Sequence, residues 1–322
     1  MIRTVTFSTG FDHLVHVDSI TPGGVGHVLS WVTQASGKGI GVARTVVALG
    51  EPCVAYCLVG EVGCDRFMAG VESDGVDVRV FTAPGRVRDN LTLTNDSMSD
   101  LAGHAVGARL SSVPSDVVDA LVDALVSETQ PGDIVTFNGG LVGGQPTHTW
   151  ARIAERVHTA GATVIADIQG EALVSAVATG KVTAAKPNEE EVRALPGVGC
   201  LADPVESAVA GVRTLYGLGV AHPMVTLGPQ GVVHIADGEI CLSACPVSDP
   251  KLSVGAGDAF LAGYCVGLSS SDPVRFALAV AAAHVSGMDI SRTDFASYLD
   301  AIRTTPLESV RDVDAQFRGN CG

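Results

Sequence analysis

From residue 115 onward, short β-prone runs alternate with longer stretches of helical spacing. Helical periodicity covers 115–127, 147–160 and 204–218, and apolar strand-like runs cover 133–137, 163–167, 182–185 and 223–227. Parallel strands need long crossovers and antiparallel ones do not, so this rhythm demands a mostly parallel sheet with helices on both faces. The first third is less regular. A buried strand at 2–7 is followed by two short β-prone runs, 12–17 and 26–32, with Pro22-Gly23-Gly24 between them. Two strands before any helix predict a hairpin-like flap, not the start of a parallel sheet. A helix at 40–49, a strand at 53–59 and a helix at 65–74 come next, then strands at 76–81 and 87–94 that are expected to return to the flap. A hairpin at 231–235 and 239–245 precedes helices at 259–267 and 273–286. The reading is one α/β domain over 1–305, a three-layer α/β/α sandwich. A small β-flap is formed by about 9–34 and 86–107, and 306–322 is a polar tail.

The chain has 322 residues, 46% of them hydrophobic, enough for a sizeable core. Its 35 acids against 20 bases give a net charge of −15, which argues against nucleic acid or an anionic membrane as partner. The lysines are Lys38, Lys181, Lys186 and Lys251, so any anionic ligand has to be met by a few bases gathered locally. The opening residues lack a charged segment followed by a long apolar run, and no apolar stretch is long enough to span a bilayer. The expected location is the cytoplasm, with eight cysteines as reduced thiols. Cys53/Cys57 and Cys241/Cys245 lie in strand-like sequence, where a spacing of four puts each pair on one face as small hydrophobes.

The stretch Lys251-Leu252-Ser253-Val254-Gly255-Ala256-Gly257-Asp258-Ala259-Phe260 leads into an Ala-rich helical segment. Small residues at a helix start let unpaired backbone N–H groups approach a ligand, and the helix dipole favours an anion there. Asp258 makes sense beside a phosphate if it takes a proton from an attacking hydroxyl. By itself the run reads equally as a plain helix N-terminus with an acidic first turn. Other positions shift the balance. Open α/β sheets bind ligands beyond the carboxyl ends of their strands, and Asn138, Asp167, Asn188, Gly228 and Asp258 all follow strand-like runs.

On these motifs the chain resembles the ribokinase-like sugar kinases of the phosphofructokinase B family, and within it the 1-phosphofructokinase and tagatose-6-phosphate kinase branch. The likeness runs from Thr4 to about Gly287. It is carried by 253–260, by Lys186-Pro187-Asn188-Glu189-Glu190-Glu191, by Thr226-Leu227-Gly228 with Gly231, by Gly37-Lys38-Gly39-Ile40 with Val42-Ala43-Arg44, and by Asp167 with Gly170-Glu171-Ala172-Leu173. The resemblance implies an ATP-dependent kinase acting on a sugar hydroxyl. Asp258 would be the base, and the backbone of Gly255, Ala256 and Gly257 the anion hole for the transferring phosphoryl group. Asn188 and Glu191 would act on Mg²⁺ through water; without the resemblance they read as a helix start with an acidic first turn. Lys186, Asn188, Thr226, Gly228 and Gly231 would line the nucleotide. Asp12, Gly37, Asn90, Asn138 and Gly139 would meet the sugar, with Lys38 and Arg88 on the phosphate it already carries. The spacing is not a Walker A motif, because neither Ser nor Thr follows Lys38. Family members also pair through the flap, which implies a homodimer.

The departures cluster on the acceptor side. Ser8-Thr9 stands for Asn-Pro, Ala35-Ser36-Gly37 for Pro-Gly-Gly, Gly41 for a sugar-contacting Asn, Asp89 for Thr, Asn138-Gly139-Gly140 for Ser-Gly-Ser, and Lys251-Leu252 for a more polar pair. A kinase with fructose 1-phosphate or tagatose 6-phosphate as acceptor is the first reading. A kinase of an unphosphorylated sugar or nucleoside is the second. The third is a non-catalytic relative that only binds sugar or nucleotide.

Overall fold

A computed structural model describes residues 1–19, 23–95 and 103–309. The chain opens with β1 (Ile2–Thr6), β2 (Gly10–Val17), β3 (Val28–Ser36), α1 (Lys38–Ala48), β4 (Cys53–Val62), α2 (Cys64–Ser73) and β5 (Asp77–Arg86). It continues through β6 (Arg88–Thr94), β7 (Gly103–Val106), α3 (Ser115–Glu128), β8 (Ile134–Asn138), α4 (Thr149–Thr159), β9 (Thr163–Asp167), α5 (Glu171–Val177) and β10 (Ala184–Ala185). Then come α6 (Pro204–Gly217), β11 (His222–Thr226), β12 (Val232–Ala236), β13 (Glu239–Ala244), α7 (Ala256–Val266), α8 (Pro273–Val285), α9 (Ala296–Ala301) and β14 (Arg303–Ser309).

The main sheet has the order β14-β13-β12-β11-β10-β9-β8-β1-β4-β5. From β5 to β11 every pairing is parallel, and β12, β13 and β14 extend the β11 edge in antiparallel fashion. Helices α3 to α6 cover one face, where Phe7 and Phe137 stack on the Trp150 ring at 4.6 and 4.8 Å between centroids. Helices α1, α2, α7 and α8 cover the other, packing Ile40, Phe67, Phe260 and Tyr264 into a second core. The amphipathic spacing seen in the sequence is thus spent on two cores, one on each side of the sheet.

A separate sheet of order β3-β2-β6-β7 forms the flap. Two expectations are corrected. The strand expected at 76–81 is β5, which joins the main sheet parallel to β4 and not the flap. Helix α2 supplies the crossover of a β-α-β unit, and a strand after such a crossover returns alongside the first. Residues 306–309, assigned to the tail, belong to β14, whose pairing covers the outer edge of β13. The remaining residues assigned to the tail, and those of 9–34 and 86–107 at positions 20–22 and 96–102, lie outside the described residues.

The sheet aligns the polar strand ends. Thr6 of β1 is in register with Asn138 of β8, and Asn138 with Asp167 of β9. Lys186, just past β10, donates its N–H to the Ala166 carbonyl at 2.8 Å, and Asn188 bridges to Thr226 at the end of β11. The flap begins over the same edge, with Gly10 opposite Arg88 and Asp12 opposite Asn90.

Candidate active site

Gly255 caps α7 with φ of 86°, a conformation that disfavours residues with a Cβ. The helix ladder closes when the Ala259 N–H donates to the Gly255 carbonyl at 2.9 Å. The Ala256 N–H donates to the Ser253 carbonyl at 3.5 Å, and the Gly257 N–H falls in the first turn, where a helix leaves its donors unpaired. A residue absent from the sequence reading holds this turn from outside. His284, in the last turn of α8, has Nε2 2.9 Å from the Val254 carbonyl and lies against Gly255.

Asp258 stands in the first turn of α7 on the cleft floor. Burial and the neighbouring charge of Asp167 push its carboxyl up to about 8, against a partial counter-effect from Lys186 and Lys38; the flap residue Asp12 adds to the upward push. Asp167 behaves in the opposite way. Its side chain is 1% exposed, and Oδ1 receives Lys186 Nζ at 3.2 Å and Lys38 Nζ at 3.3 Å. Burial opposes ionisation there, but the two ammonium groups win and hold Asp167 below the usual carboxylate range. Lys38 also reaches Glu191 Oε1 at 2.9 Å. Its proton is therefore held more tightly than in water despite burial.

Gly41 bears on the same carboxylate. A Cβ at that position would lie 2.3 Å from Asp258 Oδ2. The sequence reading took Gly41 as a lost sugar contact; in the structure it is the clearance that lets α1 approach Asp258. Gly41→Ala is expected to push the carboxylate aside and lower kcat about 10- to 100-fold. Steady-state kinetics alongside a thermal melt separates this from loss of fold.

The remaining expected site residues fall into three groups. Asn188 and Glu191 cap each other: Asn188 Oδ1 accepts the N–H groups of Glu190 and Glu191 at 2.9 and 2.8 Å, and Glu191 Oε2 accepts the Asn188 N–H at 3.0 Å. This reciprocal box fixes the segment after β10. Gly228 opens a short turn, whereas Gly231 is required by packing, because a Cβ there would sit 2.1 Å from the Ser243 carbonyl. Asp12 accepts from Asn90 Nδ2 at 2.6 Å across the flap. Asn138 is fully buried, and its amide donates to the Thr136 carbonyl at 2.9 Å and to Val5 at 3.3 Å. Its amide nitrogen serves the sheet, and its Oδ1 is buried without a hydrogen-bond partner. Gly139 sits beside the Lys38 stem, and Gly37 is the N-cap of α1.

The contacts of Arg88 differ from those of Lys38, which reaches Asp167 and Glu191. Arg88 Nη2 donates to the Ser8 carbonyl at 3.4 Å, and Arg109, a residue that carried no signal in the sequence, is near enough for its charge to act on Arg88. Burial, and then Arg109, lower its hold on the proton.

The donor set suits Mg²⁺ in one respect. Among the described residues no three His, Cys, Asp or Glu side chains converge on a metal cage. Mg²⁺ bound by one or two carboxylates, waters and phosphate oxygens needs none. Glu191 is paired with Lys38 at 2.9 Å, and Asp167 Oδ2 is a buried oxygen without a hydrogen-bond partner.

A carboxylate stands here beside a small-residue helix start, at the strand ends of a mostly parallel sheet. The chain matches the pfkB family carbohydrate kinase model over residues 8–291. It belongs to that family and is a carbohydrate kinase. It is 27% identical to a 1-phosphofructokinase of Bacillus subtilis over 85% of this chain and 88% of the relative. It is 29% identical to the 1-phosphofructokinase of Escherichia coli over 91% and 93%. The structure of phosphofructokinase-2 from Escherichia coli in complex with fructose-6-phosphate superposes with a TM-score of 0.78 at 24% identity, covering 92% of this chain and 98% of that one. Among the described residues no helix is long and apolar enough to cross a membrane.

Proposed function

We propose that this kinase moves the γ-phosphoryl group of ATP to a hydroxyl of a phosphosugar of the fructose 1-phosphate or tagatose 6-phosphate type. The observation that carries this reading is Asp258, poised by burial and Asp167 as a base beside the Gly255–Gly257 turn. The acceptor hydroxyl, oriented from the flap by Asp12, gives its proton to Asp258 as its oxygen bonds to phosphorus. The bond from phosphorus to the bridging oxygen of ADP breaks, and ADP leaves with that electron pair. The 255–257 N–H groups hold the charge on the phosphoryl oxygens. Lys186, Thr226 and Gly228 line the nucleotide, and such substrates place the reaction in the cytoplasm. Asn188 and Glu191 would hold Mg²⁺, which when bound would supply positive charge to the phosphates. The test is a panel of phosphosugars, free sugars and nucleosides with coupled detection of ADP. Turnover confined to phosphosugars supports the reading; turnover of free sugars or nucleosides alone replaces it, and nucleotide binding with no turnover on any acceptor makes the chain a binding protein.

The flap supports a homodimer. Strand β3 is an edge strand, and Val28, Leu29, Trp31 and Val32 stand exposed on it, with Leu14 beside Val32. An apolar edge of this kind is a pairing surface. Val32→Lys with Trp31→Lys is expected to convert a dimer into a monomer. Light scattering reads this directly, and a wild-type monomer at micromolar concentration would rule the surface out.

A further inference from the structure

The last turn of α8 clasps the run that leads into the Gly255–Gly257 turn. The Lys251 and Leu252 N–H groups both donate to the Val285 carbonyl, at 2.7 and 3.1 Å, using an acceptor that the end of a helix leaves unpaired. Two residues further on, the Val254 carbonyl takes the His284 imidazole at 2.9 Å. A carbonyl oxygen only accepts, so His284 Nε2 carries hydrogen. Helix α8 is itself fixed against α7. A Cβ on Gly263 would lie 2.9 Å from the Ala277 Cα, so the two helices meet with no room for a side chain. His284 is therefore a donor on a rigid mount.

The peptide it holds is the one that carries the Gly255 N–H. The Val254–Gly255 bond is trans, and in a planar trans peptide the C=O and N–H point in opposite directions. With the carbonyl drawn toward α8, the Gly255 N–H points away from α8. Among the described residues no backbone carbonyl accepts it. An open donor at the start of α7, turned away from the helix behind it, is available to an anion. The bond from His284 also polarises the peptide and strengthens its N–H as a donor. Gly255 in turn leaves the imidazole its place, because a Cβ there would stand 3.0 Å from Nε2 and 3.3 Å from Cε1.

We infer that His284 is a positioning residue for phosphoryl transfer: through the Val254 carbonyl it aims and polarises the Gly255 N–H that meets the charge on the transferring phosphoryl group. The inference rests on the reading of the 255–257 turn as the anion hole. His284 acts from behind the turn, so its effect falls on the transition state, where charge spreads over the phosphoryl oxygens, and not on the binding of either substrate. Without the imidazole the turn keeps its two bonds to Val285, but the 254–255 peptide is free to rotate.

The test compares His284→Ala, His284→Gln and His284→Met by steady-state kinetics with ATP and the acceptors of the panel above, alongside calorimetric titration with ADP and melting curves. Gln can place an amide nitrogen where Nε2 stands, and Met fills the space with no donor. In the Ala and Met variants kcat should fall about 10- to 100-fold, part of the roughly 10²–10³ that loss of an oxyanion-hole donor costs. The KM for both substrates and the affinity for ADP should stay within about threefold, the pattern of an interaction made only in the transition state. The Gln variant should keep kcat within about fivefold of the wild type, because it restores a neutral hydrogen bond. Added imidazole should raise kcat in His284→Ala and leave His284→Met and the wild type unchanged. Gln and Met keep the space filled, so their comparison decides the matter even where the Ala variant melts early. If the wild type turns over no acceptor, the anion-hole reading falls and takes the inference with it. If the wild type turns one over and His284→Met keeps its kcat, or His284→Gln fares no better than His284→Met, then His284 only packs the helix and the inference alone falls.

Discussion

Asp258→Asn should lower turnover by about 10²–10⁴, the usual contribution of a positioned general base. Nucleotide binding should be kept, because the 255–257 backbone and the 226–228 segment are untouched; calorimetry with ADP reads that half of the prediction. The wild-type profile should carry the same information. With its carboxyl pushed up to about 8, Asp258 in the free enzyme holds a proton below that pH and cannot accept another. The acid limb of kcat/KM should therefore rise toward pH 8. The stability linkage has the matching sign. The native carboxyl keeps a proton that the unfolded chain releases near 3.8, so Asp258 increasingly destabilises the fold from about pH 4 to about pH 8. Asn cannot ionise, so Asp258→Asn should melt no lower than the wild type at pH 8. Near-normal turnover would remove Asp258 from the mechanism.

The parts of this site that could be read from sequence share one property: their role is set by neighbours along the chain. Gly255, Ala256 and Gly257 precede a helical period, and Asn188 and Glu191 are three apart, so both local structures follow from short-range geometry. The layered fold was legible for the same reason, since each strand and helix of the second half carries its own period. What was lost depends on distant partners. Asp167 stood visibly at a strand end, yet its pairing with Lys38 and Lys186 joins three elements. Gly41 looked like a deleted contact until α1 was laid against α7. Arg109 lies in no motif, and only the fold brings it beside Gly140. Residues 306–309 of β14 were read as tail because Pro306 and its polar neighbours resemble coil; the open edge of β13 overrides that preference.

Asp167→Asn should have the largest effect on stability. The Lys186 side chain is 4% exposed, and Asp167 is its ion-pair partner. Removing one member of a buried pair leaves the other charge unsolvated, at a loss of about 3–5 kcal/mol. In a chain of this size that is a fall in Tm on the order of 10 °C. The pH dependence identifies the source. The Asp167 carboxyl is held below its ordinary value, so its contribution is present above about pH 4 and is lost as pH falls through the native value. The variant should lose that acid transition. It should also change the chemistry. Asp167 raises Asp258, whereas Lys186 and Lys38 lower it. With Asp167 neutral the ammonium groups are opposed only by burial and Asp12, and the acid limb of kcat/KM should move to lower pH while the maximal rate falls, because a weaker base accepts the hydroxyl proton less readily. A limb that stays in place would mean that the charge of Asp167 does not tune Asp258.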